Sequence, residues 1–280
     1  MIIDGKKVAQ GILEDIKKQV AKLEAKPTIA VIIVGANPSS KIYVNIKNKK
    51  AIEIGMHSVV VEMPEDTTQQ ALEQKIDELN QDSAINAILV QMPLPKHLDA
   101  YKIIEKILPN KDVDGFHPEN VGKLSIGLTP FACSCTPKGV IRLLDEYNID
   151  LEGKHVVVIG RSNIVGKPIS AMLLARNATV TMAHSKTKNI SLLVKSADIV
   201  VSAVGSPKLV KKEWIKDNAV VIDVGISRTP DGKIVGDVDF ENVKDKASFI
   251  TPVPGGVGPM TIAMLLENTL NLYYLQKEKK

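Results

Sequence analysis

The apolar residues of this chain fall into short β-branched runs separated by longer stretches of mixed polarity. In the first half these runs are "TIAVIIVG" (28–35), "HSVVVEMP" (57–64) and "INAILVQMPLP" (85–95), the last entering a proline-rich loop. Between them, "KIYVNIKNKKAIEIG" (41–55) and "TTQQALEQKIDELNQ" (67–81) carry helical patterns. Gly55 closes the first helix and a threonine caps the second. Apolar runs alternating with helices read as buried strands, so this order predicts βαβαβ and a parallel sheet. Residues 109–138 break the rhythm with Pro, Gly, Asn and Asp, and are predicted to be loop and linker. A helix over 137–148 then starts on Pro137.

The alternation resumes beyond it. Strands are predicted at 154–160, 178–184, 198–205 and 218–225, with helices at 166–177 and 189–197 between them. An apolar helix, "MTIAMLLENTLNLYYL", follows a Pro- and Gly-rich loop, and the lysine-rich "QKEKK" ending reads as a solvated tail. The expected fold is therefore α/β: two parallel-sheet domains with an interdomain cleft. Residues 1–138 form the first domain, with helix 262–280 packing back on it, and residues 139–261 form the second.

Composition narrows the class of protein. A chain of 280 residues with 44% hydrophobic and 24% charged residues has ample length for a core. A net charge of +4 suits anionic ligands but is not the strongly basic balance of a nucleic-acid binder. The amino-terminal "MIIDGKKVAQ" is charged at once, against a signal peptide, and no run of 18 apolar residues predicts a membrane span. The two cysteines, Cys133 and Cys135, make neither a disulfide framework nor a full zinc set, and no histidine pair suggests a metal. A soluble cytoplasmic protein without membrane or nucleic-acid partners is the expectation.

The turn "GRSNIVGKP" (160–168) joins a strand to a helix, where backbone N–H groups and the helix dipole can hold a pyrophosphate. It predicts a Rossmann-like dinucleotide site with an altered fingerprint: Gly160 and Gly166 flank a longer turn, and Ser162 replaces the second glycine. The next strand ends in "AHSKT", with no carboxylate for a free ribose hydroxyl. Ser185, Lys186 and Arg161 would instead welcome a 2′-phosphate, so NADP is favoured over NAD. The alternative is that Arg161 and Lys186 are ordinary surface charges.

The lysines of "KIYVNIKNKK" separate by helical phase. At 100° per residue Val44, Ala51 and Ile54 share an arc with Lys47, whereas Lys41, Lys49 and Lys50 fall outside it; Ile46 and Ile52 also miss it. Tyr43 lies one turn before Lys47 on the same side. Lys47 either snorkels to water, the commoner outcome, or sits in a pocket where it serves proton transfer. Gln91 follows the third strand at its carboxyl end, where α/β sites form, and Asp114 sits in a tight turn. Either residue can equally just solvate its local backbone. The loop "TPVPGGVGPMT" (251–261) concentrates constrained residues beyond the needs of a plain connection.

Nine stretches, in order and spanning nearly the whole chain, together resemble the bifunctional methylenetetrahydrofolate dehydrogenase/cyclohydrolase family. They are "SSKIYVNIKNKKAIEIG", "VQMPLP", "DVDGFHPENVGKL", "CTPKG", "GRSNIVGKP", "HSKT", "VVIDVGI", "IVGDVDF" and "ITPVPGGVGPMT". The resemblance implies a one-carbon enzyme of tetrahydrofolate interconversion. It would use NADP to oxidise 5,10-methylenetetrahydrofolate to 5,10-methenyltetrahydrofolate, then hydrolyse that product to 10-formyltetrahydrofolate. It further implies that Lys47 is the main acid/base group, Tyr43 stacks on the folate, Gln91 bonds and tunes Lys47, and Asp114 holds the pterin. Val90, Met92 and Pro254, Gly255, Gly256, Val257 and Gly258 would line the folate site. Gly160, Arg161, Ser162, Ser185 and Ile226 would contact NADP. A homodimer through the second domain is also implied.

Overall fold

The computed structural model describes residues 1–278, so the last two lysines of the predicted tail lie outside the described residues. The chain divides into two compact units. A three-stranded unit comprises Gly11–Cys133 with Leu265–Lys280, and a five-stranded unit comprises Met1–Gln10 with Ser134–Met264.

Helix α1 (Gly5–Ala21) begins in the five-stranded unit and runs into the three-stranded one. There follow β1 (Thr28–Val34), α2 (Pro38–Glu53), β2 (His57–Met63), α3 (Gln69–Gln81), β3 (Ala87–Val90), α4 (Ala100–Lys106) and α5 (Pro118–Ser125). The sheet order is β2-β1-β3, all parallel. Every residue of β1 and β3 is buried, as their continuous apolar runs require, while β2 at the edge alternates with solvent. Leu72, Ile76 and Leu79 form one face of α3 and pack against Ile32, Val34, Ile88 and Val90. Asn37 and Thr68 cap α2 and α3 through their side chains.

The stretch predicted as loop and linker contains a helix, α5. Its proline stands in the first turn, where no N–H is needed, and the His117 ring accepts a hydrogen bond from Glu119 N. Proline and glycine density here marks a helix start rather than the absence of one.

The five-stranded unit holds α6 (Cys135–Glu146), β4 (His155–Ile159), α7 (Gly166–Leu174), β5 (Thr179–Ala183), α8 (Ile190–Lys195) and β6 (Ile199–Ser202). After a 3₁₀ turn come β7 (Val220–Asp223), the hairpin β8 (Ser227–Arg228) and β9 (Ile234–Val235), α9 (Phe240–Val243) and β10 (Phe249–Ile250). Strand order is β10-β7-β6-β4-β5, all parallel. The first residues of the chain extend this sheet. Ile3 N donates to Ile250 O at 2.8 Å and Ile250 N to Met1 O at 3.0 Å. This pairing across most of the sequence has no local signature, which is why residues 1–10 read as part of the first domain.

Helix α10 (Val257–Lys277) starts in the five-stranded unit, and its residues from Leu265 onward belong to the three-stranded one. There Asn268 Nδ2 donates to the carbonyls of Val113 and Cys133, and Gln276 Nε2 to those of Asn86 and Asn110.

Candidate active site

The basic helix α2 resolves into distinct environments. Val44, Ala51 and Ile54 are buried, and Ile46 and Ile52 are exposed, as the helical phase indicated. Lys41 and Lys50 pair with surface carboxylates, Glu62 at 3.9 Å and Glu53 at 2.6 Å. Lys47 is half-buried and pairs with no carboxylate among the described residues. Its Nζ donates to Gln91 Oε1 at 3.0 Å. Gln91 is held in turn: its main-chain N donates to Ile32 O, and its Nε2 donates to Met92 O at 2.6 Å, leaving the amide oxygen for Lys47. Tyr43, one turn before Lys47, exposes nearly half its surface.

Asp114 reaches the same end of the sheet by a different route. Ile88 N donates to Lys111 O and Val113 N to Ile88 O, so the segment before Asp114 lies alongside β3. A crevice of about 10 Å³ is lined by Val90, Met92, Asp114 and Phe116, with Ile104 and Asp112. The turn is anchored by Asp112, whose buried Oδ2 accepts from His117 N at 2.8 Å and Asn120 Nδ2 at 2.9 Å. Burial pushes the Asp112 carboxyl up from its usual range, against the pull of those bonds. On the other side of the segment, Lys111 Nζ donates to the carbonyls of Leu79, Asn80 and Asp82, capping the end of α3.

In the five-stranded unit the turn after β4 is built by close backbone approach. Gly160 has φ +122°, and a Cβ there would lie 2.4 Å from Ala203 O. A Cβ on Gly166 would lie 2.3 Å from Gly160 O. Ser162 Oγ accepts from Val165 N at 3.1 Å and Gly166 N at 3.3 Å, doing with a side chain what a tighter turn does with its glycines. The register Ile159↔Ala183 puts Arg161 and Ser185 each two residues beyond paired strand positions, and both are exposed together with Lys186. This strand–turn–helix with cations at its rim fits a phosphorylated dinucleotide. Ile226 follows β7, and its Cδ1 lies 3.9 Å from where a Cβ on Gly258 would stand.

The predicted residues thus form three clusters. Tyr43, Lys47 and Gln91 stand with Val90, Met92 and Asp114 in the three-stranded unit. Gly160, Arg161, Ser162 and Ser185 share one end of the larger sheet. Ile226 meets the loop Pro254–Gly258, also in the five-stranded unit. Sequence reasoning passed over Phe116, which lines the crevice with Asp114. It also passed over Asp223 and Asp237, buried in the quoted "VVIDVGI" and "IVGDVDF" stretches. An acidic residue closing an apolar run was the available signal.

Residues 3–114 match the family model described as the tetrahydrofolate dehydrogenase/cyclohydrolase catalytic domain, and residues 134–277 match the corresponding NAD(P)-binding domain. The bifunctional protein FolD of Thermodesulfovibrio yellowstonii is 55% identical over 279 residues, covering 99% of this chain and 97% of that one. Among solved structures, the bifunctional FolD dehydrogenase/cyclohydrolase of Campylobacter jejuni has a TM-score of 0.97 at 48% identity, covering 100% and 99% of the two chains. The Trypanosoma brucei enzyme, complexed with NADP cofactor and inhibitor, has a TM-score of 0.94 at 42% identity over 98% and 97%.

Proposed function

The chain belongs to the tetrahydrofolate dehydrogenase/cyclohydrolase family, and from that premise we propose that it oxidises 5,10-methylenetetrahydrofolate with NADP and hydrolyses the 5,10-methenyl product to 10-formyltetrahydrofolate. The observation that carries this reading is the Lys47–Gln91 bond of 3.0 Å at the carboxyl end of β3. NADP, when bound, supplies the hydride acceptor.

Hydrolysis adds water to the methenyl carbon and opens a C–N bond, so a proton must leave the water and another must reach the departing nitrogen. Lys47 Nζ is the group that moves it. A carboxylate partner would lock the ammonium in its charged form. The amide oxygen of Gln91 instead accepts from either an ammonium or an amine, so the lysine keeps its place through both protonation states. Tyr43 offers a ring on the same helix side for stacking on the pterin. Asp114, beside Val90 and Met92, supplies an acceptor for the pterin's N–H groups. Pro254–Gly258 provide backbone close to the folate.

Gly160, Ser162 and the start of α7 receive the pyrophosphate. Arg161, Ser185 and Lys186 receive the 2′-phosphate and set the preference for NADP over NAD. Ile226 offers an apolar surface to the nicotinamide. The wider reading is of a homodimer in the cytoplasm, the dimer supported by the open edge of β5, with Leu174 exposed on the preceding helix.

The test is an absorbance assay on the purified protein. Methenyltetrahydrofolate should form faster with NADP than with NAD and then decay. Equal rates with the two cofactors would remove the 2′-phosphate assignment, and a stable methenyl product would remove the hydrolase.

A further inference from the structure

Two carboxylates are buried side by side where β7 and the β9 strand end meet. Asp223 is 2% exposed and Asp237 is fully buried. Each accepts three hydrogen bonds. Asp223 takes those of Gly225 N, Asp237 N and Val238 N, at 2.8–3.0 Å. Asp237 takes those of Ser202 Oγ, Val204 N and Ser206 N, at 2.7–3.0 Å. The approach is reciprocal. A Cβ on Gly236 would lie 2.0 Å from Asp223 Oδ2, and one on Gly225 would lie 2.2 Å from Asp237 Oδ1. Burying two like charges together is unfavourable compared with an apolar pair of the same shape. What the carboxylates provide that an apolar pair does not is a fixed direction for six donors.

Four of those donors, on Ser202, Val204, Ser206 and Gly225, stand at the carboxyl ends of β6 and β7, the end of a parallel sheet where dinucleotides bind. Asp237 turns the N–H groups of Val204 and Ser206 inward, and the carbonyl just before them, Ala203 O, is the atom against which Gly160 packs. Asp223 fixes Gly225, the residue before Ile226. We propose that Asp237, held in place by Asp223, is a positioning residue for the dinucleotide. It sets the loop Ser202–Ser206, and through Ala203 the turn at Gly160, without touching the cofactor itself. This rests on the NAD(P)-binding reading of the unit.

Asp237→Asn is the informative variant. The amide keeps one oxygen but must turn its NH₂ toward a donor, so at least one loop N–H loses its acceptor. Equilibrium titration of the full-length protein with NADP should show binding about tenfold weaker, the cost of an unpaired buried donor. Hydrolysis of methenyltetrahydrofolate without any cofactor should stay within about twofold of the parent, because Lys47 and its partner Gln91 lie in the other unit. A merely structural role would lower both together, and that result, or unchanged NADP binding by the folded variant, would overturn the proposal. Should Asp237→Asn fail to fold, Ser202→Ala decides: removing one donor should weaken NADP binding about threefold, and unchanged binding would overturn the proposal. A parent that binds no NADP would sink the cofactor reading first, and the positioning role with it. Normal binding by parent and variant alike would sink the positioning role alone.

Discussion

The surroundings of Lys47 and the turn at Gly160 are both candidate sites at the carboxyl ends of parallel strands, yet they are made of different material. Around Lys47 the chemistry sits in side chains: an ammonium, an amide and a carboxyl, carried on elements that would form without them. Around Gly160 it sits in the backbone, shaped by missing side chains and by carboxylates buried behind it. A side-chain site can lose its function and keep its fold. A backbone site cannot be altered without moving the structure that forms it.

The largest expected effect follows from the first kind of site. Lys47→Ala should lower the rate of methenyltetrahydrofolate hydrolysis by about 10²–10⁴, the usual contribution of a placed acid/base group. Thermal stability should stay near the parent's, since half-buried Lys47 makes a single bond to Gln91. A large loss of stability in this variant would erase the contrast between the sites.

Gly160→Ala should do the reverse. At φ +122° and 2.4 Å from a backbone oxygen, the added methyl costs about 1–3 kcal/mol in backbone strain alone and should also weaken NADP binding. Denaturant unfolding and an NADP titration on the same preparation check both.

The carboxylates behind the turn make a third difference, visible in pH. Burial, with a smaller contribution from the charge of Asp237, pushes the Asp223 carboxyl up to about 6 against the pull of its backbone donors. The native state therefore keeps a proton that the unfolded chain has released, and stability falls as pH rises from about 4 to about 6. The change is at most about 3 kcal/mol across that range. Asp223→Asn should flatten this slope in urea titrations across that range, whereas Lys47→Ala should leave it unchanged.

The smallest effect belongs to the exposed rim. Arg161→Ala should reduce the preference for NADP over NAD by about tenfold, the scale of one hydrogen bond to a charged group, with stability untouched. The ratio of kcat/KM for the two cofactors reads it directly.

The same contrast explains what was legible in the sequence. Strands such as β1 and β4 announce themselves as unbroken β-branched runs because both faces are buried. Lys47 could be told from Lys41 and Lys50 because helical phase is a local property. Three things were harder to see. Helix α5 hides in a segment dense in proline and glycine, and its start depends on Pro118 falling at the first turn and on the His117 ring. The pairing of Met1–Ile3 with Ile250 joins the two ends of the five-stranded unit. Lys111, Asp112, Asp223 and Asp237 are ionisable residues in the interior, and two of them, Lys111 and Asp237, are satisfied by partners far along the chain, at the end of α3 and after β6. For Asp223 and Asp237 the apolar run that each closes was the one local sign, and Lys111 and Asp112 have none.

We propose that Lys47 carries hydrolysis while the other unit places the cofactor. One measurement addresses it directly: the absorbance of methenyltetrahydrofolate after mixing Lys47→Ala with 5,10-methylenetetrahydrofolate and NADP. In the parent the signal should rise and decay. In the variant it should rise and persist beyond spontaneous hydrolysis, and decay at the parent rate would contradict the claim.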